Sequence, residues 1–269
     1  MERSDTEFAG AIPQLYDRCL GPFLFEPYAQ DIAARASALG PARILETAAG
    51  TGIVTAALAA ALPEAEIVAT DLNPAMLEVA AARMASGRVS FGAADAQDLP
   101  FPDGGFDLVV CQFGAMFFPD RPLAYREARR VLRPGGILLF NVWDRLEANP
   151  AAAAVAEAVA AVFPDDPPSF LSRTPYGYHD AARIAADLAA AGFADAAIET
   201  VAKRSRGRAS DVAPGLCEGS PLRAEIERRA PARLAEATAA ALARLREAAG
   251  GDEIDLPMSA LVVTASAAA

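Results

Sequence analysis

The chain has 269 residues, 53% of them hydrophobic, with a formal net charge of −11 and a sequence pI near 4.7, which is enough for one large α/β domain with insertions or a domain plus a smaller lobe. That acidity argues against a nucleic-acid partner, whose phosphates need clustered Lys and Arg, and the Arg-rich stretch 203–208 reads as a solvated strand end or loop. The scattered Cys19, Cys111 and Cys217 fit neither a metal site nor a disulfide framework, residues 1–10 lack the apolar run of a secretory signal, and glycines interrupt the uncharged stretch 47–63, so we expect a cytoplasmic protein with no metal and no membrane span.

In chain order, residues 1–40 read as an N-terminal helical segment or lid, with a helix over 28–39 and the aromatics Phe8, Tyr16, Phe23, Phe25 and Tyr28 interleaved. Strands follow at 43–47, 66–70, 89–93, 106–111 and 137–142. Helices fill the gaps at 53–62, at 74–84, where Asn73 supplies an N-cap and Pro74 the first helical position, and at 121–132, where Arg133-Pro134-Gly135-Gly136 reads as a turn. Then come a helix over 151–162, a Pro-rich break at 163–168, a helix over 180–191 closed by Gly192, a strand at 196–201, a helical stretch at 221–249 and a last strand at 260–265. Strands alternating with helices predict a mostly parallel sheet covered on both faces. We expect the core in 41–145, with 146–269 supplying a helical cover and the last two strands.

The segment Ile44-Leu45-Glu46-Thr47-Ala48-Ala49-Gly50-Thr51-Gly52 carries the most information. An apolar strand stops at a carboxylate and turns through small residues into a helix, so backbone and helix N-terminus can approach a nucleotide-like ligand. Asp71 ends the second strand roughly 20 residues later, the interval at which a carboxylate meets ribose hydroxyls; taken alone it would as well be a helix cap. A dinucleotide fingerprint needs a small residue where Thr55 stands. Glu46 at the loop entrance also favours a ligand bearing an ammonium and a sulfonium over a pyrophosphate.

These residues resemble the class I S-adenosylmethionine-dependent methyltransferases, particularly the small-molecule branch that includes ubiquinone and menaquinone biosynthesis enzymes. Glu46-x-Ala48-x-Gly50-x-Gly52 is similar to their acidic glycine loop, with Ala48 in place of the first glycine. Asp71 is similar to their ribose-binding acid, Asp95-Ala96-Gln97 to the third-strand motif that reads adenine, residues 106–112 to the fourth strand, and 130–136 to the entry to the fifth. The resemblance implies a Rossmann-like seven-stranded sheet with the last strand antiparallel and helices on both faces. It also implies S-adenosylmethionine held by Glu46, Ala48, Ala49, Gly50 and Gly52 at the methionine end, by Asp71 at the ribose, and by Leu72, Met76, Asp95, Ala96 and Gln97 around adenine, with Gln112 and Phe113 near the transferring methyl. Tyr16 either closes over the cofactor or anchors its own helix as a core aromatic.

Methyl transfer from a sulfonium is an in-line displacement, so orientation can supply most of the catalysis. The single histidine, His179, is a candidate base or a helix-capping or lid residue beside Asp180. Trp143, Phe113, Phe117 and Phe118 either line an acceptor pocket or pack the core. Gln112-Phe113-Gly114 is not the Asp/Asn-Pro-Pro-aromatic motif of nucleic-acid amino methyltransferases, and neither a Pro-Cys nucleophile nor a two-glutamate loop is present, which leaves a small organic acceptor. An NAD-dependent oxidoreductase and a noncatalytic cofactor-binding protein are the alternatives; acceptor identity, the methylated atom and oligomeric state stay open.

Overall fold

The fold is taken from a computed structural model of the chain, which describes residues 12–84 and 87–267; the aromatic Phe8 lies outside the described residues. In order, the elements are α1 (Ile12–Leu20), a π-helical turn (Gly21–Phe25), α2 (Glu26–Leu39), β1 (Arg43–Thr47), α3 (Ile53–Ala61), β2 (Glu66–Asp71), α4 (Pro74–Arg83), β3 (Val89–Ala93), β4 (Phe106–Gln112), α5 (Arg121–Val131) and β5 (Leu132–Trp143). They continue with α6 (Pro150–Val162), α7 (Phe170–Arg173), α8 (Ala181–Ala190), β6 (Ala196–Arg208), α9 (Ala209–Cys217), α10 (Leu222–Arg229), α11 (Leu234–Ala249) and β7 (Glu253–Ser266).

The seven strands form one Rossmann-like sheet in the order β3-β2-β1-β4-β5-β7-β6, parallel through β1 to β5 and antiparallel at its last strands. The strand order reverses between β1 and β4. Such a switch point leaves a crevice at the carboxyl ends of the strands, where open α/β sheets bind ligands.

The chain divides into two compact units, and the division falls within α2, β5, β6 and β7. One comprises Tyr28–Val142, Tyr178–Val201 and Ala260–Ala269. Its core is aliphatic: Ile44 and Ile67 from the sheet, Ile32 and Ala36 from α2, Val54 and Leu58 from α3, with Leu108, Val110, Leu139 and Val262, all at most 4% exposed. The central strands β1 and β4 are buried on both faces, which is why they read as continuous apolar runs. The other unit comprises Met1–Pro27, Trp143–Gly177 and Ala202–Ser259, and is largely helical: α11 packs on α6 and α9, and α1 packs on α9. Within it Glu225, 3% exposed, accepts hydrogen bonds from the backbone N–H groups of Ser169 and Phe170 and from Arg173, so a buried carboxylate caps α7. Among the described residues no helix is long and apolar enough to cross a membrane.

The expected strands and helices of the first half form within a residue or two, and Asn73 caps α4 by accepting from the Ala75 N–H. The exception is the expected turn at 133–136. Leu132 already pairs with Phe106 and Ile137 with Leu108, so residues 133–136 are extruded as a bulge inside β5, with Gly135 at φ +75° and Gly135 and Gly136 bonded to Ala267. The stretch 221–249 is two helices, because Pro231 forces a break between α10 and α11. The basic stretch 203–208 lies in β6, where Arg204, Arg206 and Arg208 pair with Asp255, Asp252 and Glu253. The helix α1 lies in the segment 1–40 and α9, which contains Pro214, in the stretch 146–269, both read as helical without individual bounds.

Gly52 caps α3 at φ +77°, and a Cβ there would lie 2.8 Å from the Ala80 Cβ and 3.1 Å from the Ala80 Cα. The glycine therefore sets how closely α3 approaches α4. We expect Gly52→Ala to destabilise the protein by about 1–3 kcal/mol through overpacking and left-handed strain, seen as a lower urea midpoint with an unchanged slope.

Candidate functional site

The β1 strand ends in a turn that its neighbours hold open. Thr47 pairs with Thr70, the Ala49 N–H donates to the Thr70 carbonyl at 2.9 Å, and the Thr70 hydroxyl donates to the Glu46 carbonyl at 3.0 Å. The chain then turns through Ala48 at φ +53° and Gly50 at φ +56°. Ala48 and Phe113 are the two non-glycine residues with positive φ among the described residues, and they stand at the tips of the adjacent strands β1 and β4. Gly114 lies between them: a Cβ on it would come within 2.5 Å of the Ala48 Cβ and 2.7 Å of the Cys111 Sγ. Strain of this kind, of order 1–3 kcal/mol per residue, persists only where surrounding contacts enforce it.

Asp71, at the tip of β2, supplies those contacts for β1. One carboxylate oxygen accepts the Gly50 N–H and the other the Asn73 N–H, both at 2.8 Å. Burial pushes the Asp71 carboxyl up, while the Asn73 and Gly50 N–H groups pull it back. Each carboxylate oxygen accepts two hydrogen bonds, so both keep a lone pair for a ligand hydroxyl. Leu72, immediately after, is 62% exposed, a bare apolar surface beside a carboxylate; Met76 is buried, with its Cε 3.9 Å from where a Gly50 Cβ would stand.

Glu46 is 1% exposed, and its Oε2 has no hydrogen-bond partner; the buried Thr51 hydroxyl also lacks one. Burial pushes the Glu46 carboxyl up to about 8, nearby Asp71 adds to the rise, and the Thr55 hydroxyl and amide offset it in part. A buried carboxylate left with an orphan oxygen is costly, and a positively charged group placed against it would relieve the cost.

At the next strand tip, Asp71 pairs with Ala93, and Asp95 follows two residues on. The Asp95 carboxylate accepts the Gln97 N–H at 2.8 Å, and the Gln97 side-chain carbonyl accepts the Asp120 N–H at 2.8 Å, fixing this loop against the start of α5. Asp95, Ala96 and Gln97 are half-buried. On the other side of β1, Gln112 and Phe113 leave β4. The Phe113 ring is 6% exposed and packs edge-on to Tyr28 at 5.3 Å, a core contact. Burial pushes the Cys111 thiol up to about 12, so it is no nucleophile at neutral pH.

The structure thus gathers Glu46, Ala48, Ala49, Gly50, Asp71, Leu72, Met76, Asp95, Ala96, Gln97, Gln112 and Phe113 along four adjacent strand tips of one unit, with Gly52 turned to helix packing. Tyr16 belongs to the other unit, where its ring stacks on Phe25 at 5.0 Å. His179 is exposed on the segment before α8, which Asp180 caps by accepting from the Ala182 and Arg183 N–H groups. Trp143 is 3% exposed and packs between Phe25 and Tyr176. Sequence reasoning missed Asn141, a fully buried amide whose Oδ1 accepts the Phe113 N–H at 3.0 Å. Its signal was available: one polar residue inside the apolar run Ile137-Leu138-Leu139-Phe140-Asn141-Val142-Trp143.

Residues 45–140 match the methyltransferase domain family. Over 156 residues the chain is 36% identical to a demethylmenaquinone methyltransferase of Deinococcus radiodurans, a match covering 56% of this chain and 63% of that protein. Over 111 residues it is 43% identical to the ubiquinone/menaquinone biosynthesis C-methyltransferase UbiE of Methylobacterium nodulans, covering 40% of this chain and 44% of the relative. The chain therefore spans less than two thirds of the length of these curated relatives. Among solved structures, the YcgJ protein of Bacillus subtilis superposes with a TM-score of 0.59 at 18% identity, over 90% of this chain and 99% of that one, which shows a shared fold.

The Glu46 carboxyl has a testable consequence without any ligand. Its folded pKa of about 8 lies above its ordinary 4.5, so the folded protein retains a proton that the unfolded chain loses. The resulting stabilisation is full below the lower value and disappears as pH rises through the upper one; Asp71, also raised, acts in the same direction over its own range. We expect the melting temperature of Glu46→Gln minus that of the wild type to increase steadily from pH 5 to pH 8.5, measured by thermal unfolding in matched ionic strength.

Proposed function

From a class I S-adenosylmethionine-dependent methyltransferase domain over residues 45–140, we propose that this chain transfers the methyl group of S-adenosylmethionine to a small organic acceptor in the cytoplasm. One observation carries the reading: a carboxylate locked by two backbone bonds at a strand tip stands beside a second, buried carboxylate with an unpartnered oxygen. The pair suits a ligand with a ribose diol at one end and a cation at the other.

S-adenosylmethionine supplies an activated methyl on a positively charged sulfur. Asp71 accepts the ribose hydroxyls with the lone pairs its backbone bonds leave over. Leu72 covers one adenine face, and Met76 supports the loop from below. Asp95, with the backbone of Ala96 and Gln97, reads the adenine edge. Glu46 stands as the counter-charge for the cationic end, with the open backbone of Ala48, Ala49 and Gly50 admitting it. Gln112 and Phe113 border the methyl, and the chain's contribution to the reaction is alignment of nucleophile, carbon and sulfur.

His179, exposed before α8, takes no part in this reading. The acceptor is small rather than a nucleic acid, because the net charge is −11 and the arginines of β6 are neutralised by Asp252, Glu253 and Asp255.

Calorimetry should give saturable binding of S-adenosylmethionine and of S-adenosylhomocysteine and no heat with NAD. Asp71→Ala should weaken both by at least about tenfold, roughly 1.4 kcal/mol. Labelled-methyl transfer to a panel of phenols, quinols, acids and amines identifies the acceptor class. No heat with S-adenosylmethionine at millimolar concentration, or an Asp71→Ala protein that binds unchanged, would overturn the assignment.

A further inference from the structure

The two strands that meet at the switch point end in turns of the same kind, and each turn is held from the strand on its far side. On β2, Asp71 accepts the Gly50 N–H of the β1 turn at 2.8 Å. On β5, Asn141 accepts the Phe113 N–H of the β4 turn through its side-chain Oδ1 at 3.0 Å and through its backbone carbonyl at 3.1 Å. Asn141 pairs in register with Gln112, is fully buried, and directs its amide nitrogen at the Gln112 Oε1 at 3.5 Å. Asn141 therefore touches both Gln112 and Phe113, the residues the methyltransferase reading assigns to the reacting methyl. Arg121 secures the continuation of the same turn, donating to the Ala115 and Met116 carbonyls at 3.2 and 2.8 Å.

We propose that Asn141 is the positioning residue of the β4 turn: it holds Phe113 in its left-handed conformation and orients the Gln112 amide, so that methyl transfer depends on it while cofactor affinity does not. The assignment rests on the methyltransferase reading and goes beyond it by dividing the work. Asp71 fixes the turn that receives the cofactor, and Asn141 fixes the turn that faces the chemistry. A buried amide is suited to the second task because its two ends differ: the carbonyl accepts from the strained backbone while the NH2 constrains a neighbouring side chain.

Two substitutions separate these ends. Asn141→Asp keeps a side-chain acceptor for the Phe113 N–H and loses the donor to Gln112; Asn141→Ala loses both side-chain contacts and leaves the Phe113 N–H only the backbone carbonyl of residue 141, at 3.1 Å. Three measurements on the full chain apply: hydrogen exchange over 106–118, S-adenosylhomocysteine binding by calorimetry, and labelled-methyl turnover with the best acceptor of the panel. We expect Asn141→Ala, which removes one of the two acceptors of the Phe113 N–H, to accelerate exchange at Phe113 about threefold or more and Asn141→Asp to do so much less. Both should bind S-adenosylhomocysteine within threefold of the wild type and lose at least tenfold in kcat. In a Gln112→Leu background, Asn141→Asp should add no further loss.

Unchanged exchange and turnover in Asn141→Ala would overturn the proposal, as would a fall in cofactor affinity that parallels the fall in kcat. Should Asn141→Ala not fold, the Asn141→Asp and Gln112→Leu pair carries the same decision. A wild type that binds no S-adenosylhomocysteine, or transfers no methyl, overturns the methyltransferase reading and with it the catalytic half of this assignment, while the exchange data still decide whether Asn141 holds the turn.

Discussion

The bond from the Gly50 N–H to the Asp71 carboxylate is the constraint on which the site depends. It joins the tips of two parallel strands beyond their last paired residues, Thr47 and Thr70, where the Ala49 N–H to Thr70 carbonyl bond is the last backbone link between them. With the Ala49 N–H to Thr70 carbonyl bond, it keeps Ala48 and Gly50 of the β1 turn at positive φ. The same carboxylate receives the Asn73 N–H and so also sets where α4 begins. One side chain thus bears on a strand end, a strained turn and a helix start, and each of its oxygens still has a lone pair to offer.

This economy follows from parallel topology. Parallel strands all end on one side of the sheet, so their following turns crowd together, and at the switch point β1 and β4 send their helices to opposite faces. The gap that opens has to be bounded by turns rather than by regular structure. Turns hold a fixed shape only when their backbone N–H groups find partners. Here the flanking strands β2 and β5 provide them through Asp71 and Asn141. The tight approach of Gly114 to Ala48 and Cys111 then leaves no room for either turn to relax toward the other.

The electrostatics of the crevice follow from the same arrangement. Glu46 is the penultimate residue of a strand buried on both faces, so its carboxyl cannot reach water, and it lies near a second carboxylate. In the absence of a cation the carboxyl answers by holding its proton. A site in this state is prepared for a positively charged ligand, because ionised Glu46 gains most when a counter-charge arrives where solvent cannot. The Arg-rich stretch of β6 shows the opposite situation: its charges stand at the surface, each already beside an aspartate or glutamate, and they exert little field of their own.

By itself the sequence determined the strand-turn-helix at Ile44 to Gly52, the Asp71 interval, the alternation that builds the parallel sheet, and the capping of α4 by Asn73. These are local: a period of hydrophobicity, a small-residue turn or a cap is written in neighbouring residues and needs no distant partner. Tertiary structure alone decided the rest. That residues 133–136 are a bulge within β5 depends on Phe106 and Ala267, far away in the chain. That Gly52 serves helix packing depends on Ala80. That Asn141 pins the β4 turn depends on the register of β5 against β4, which places it beside Gln112 across a separation of 29 residues. A polar residue in an apolar run announces that some partner exists. Which partner it is becomes fixed only when the strands pair, because pairing, not proximity in the chain, brings an acceptor to a buried N–H.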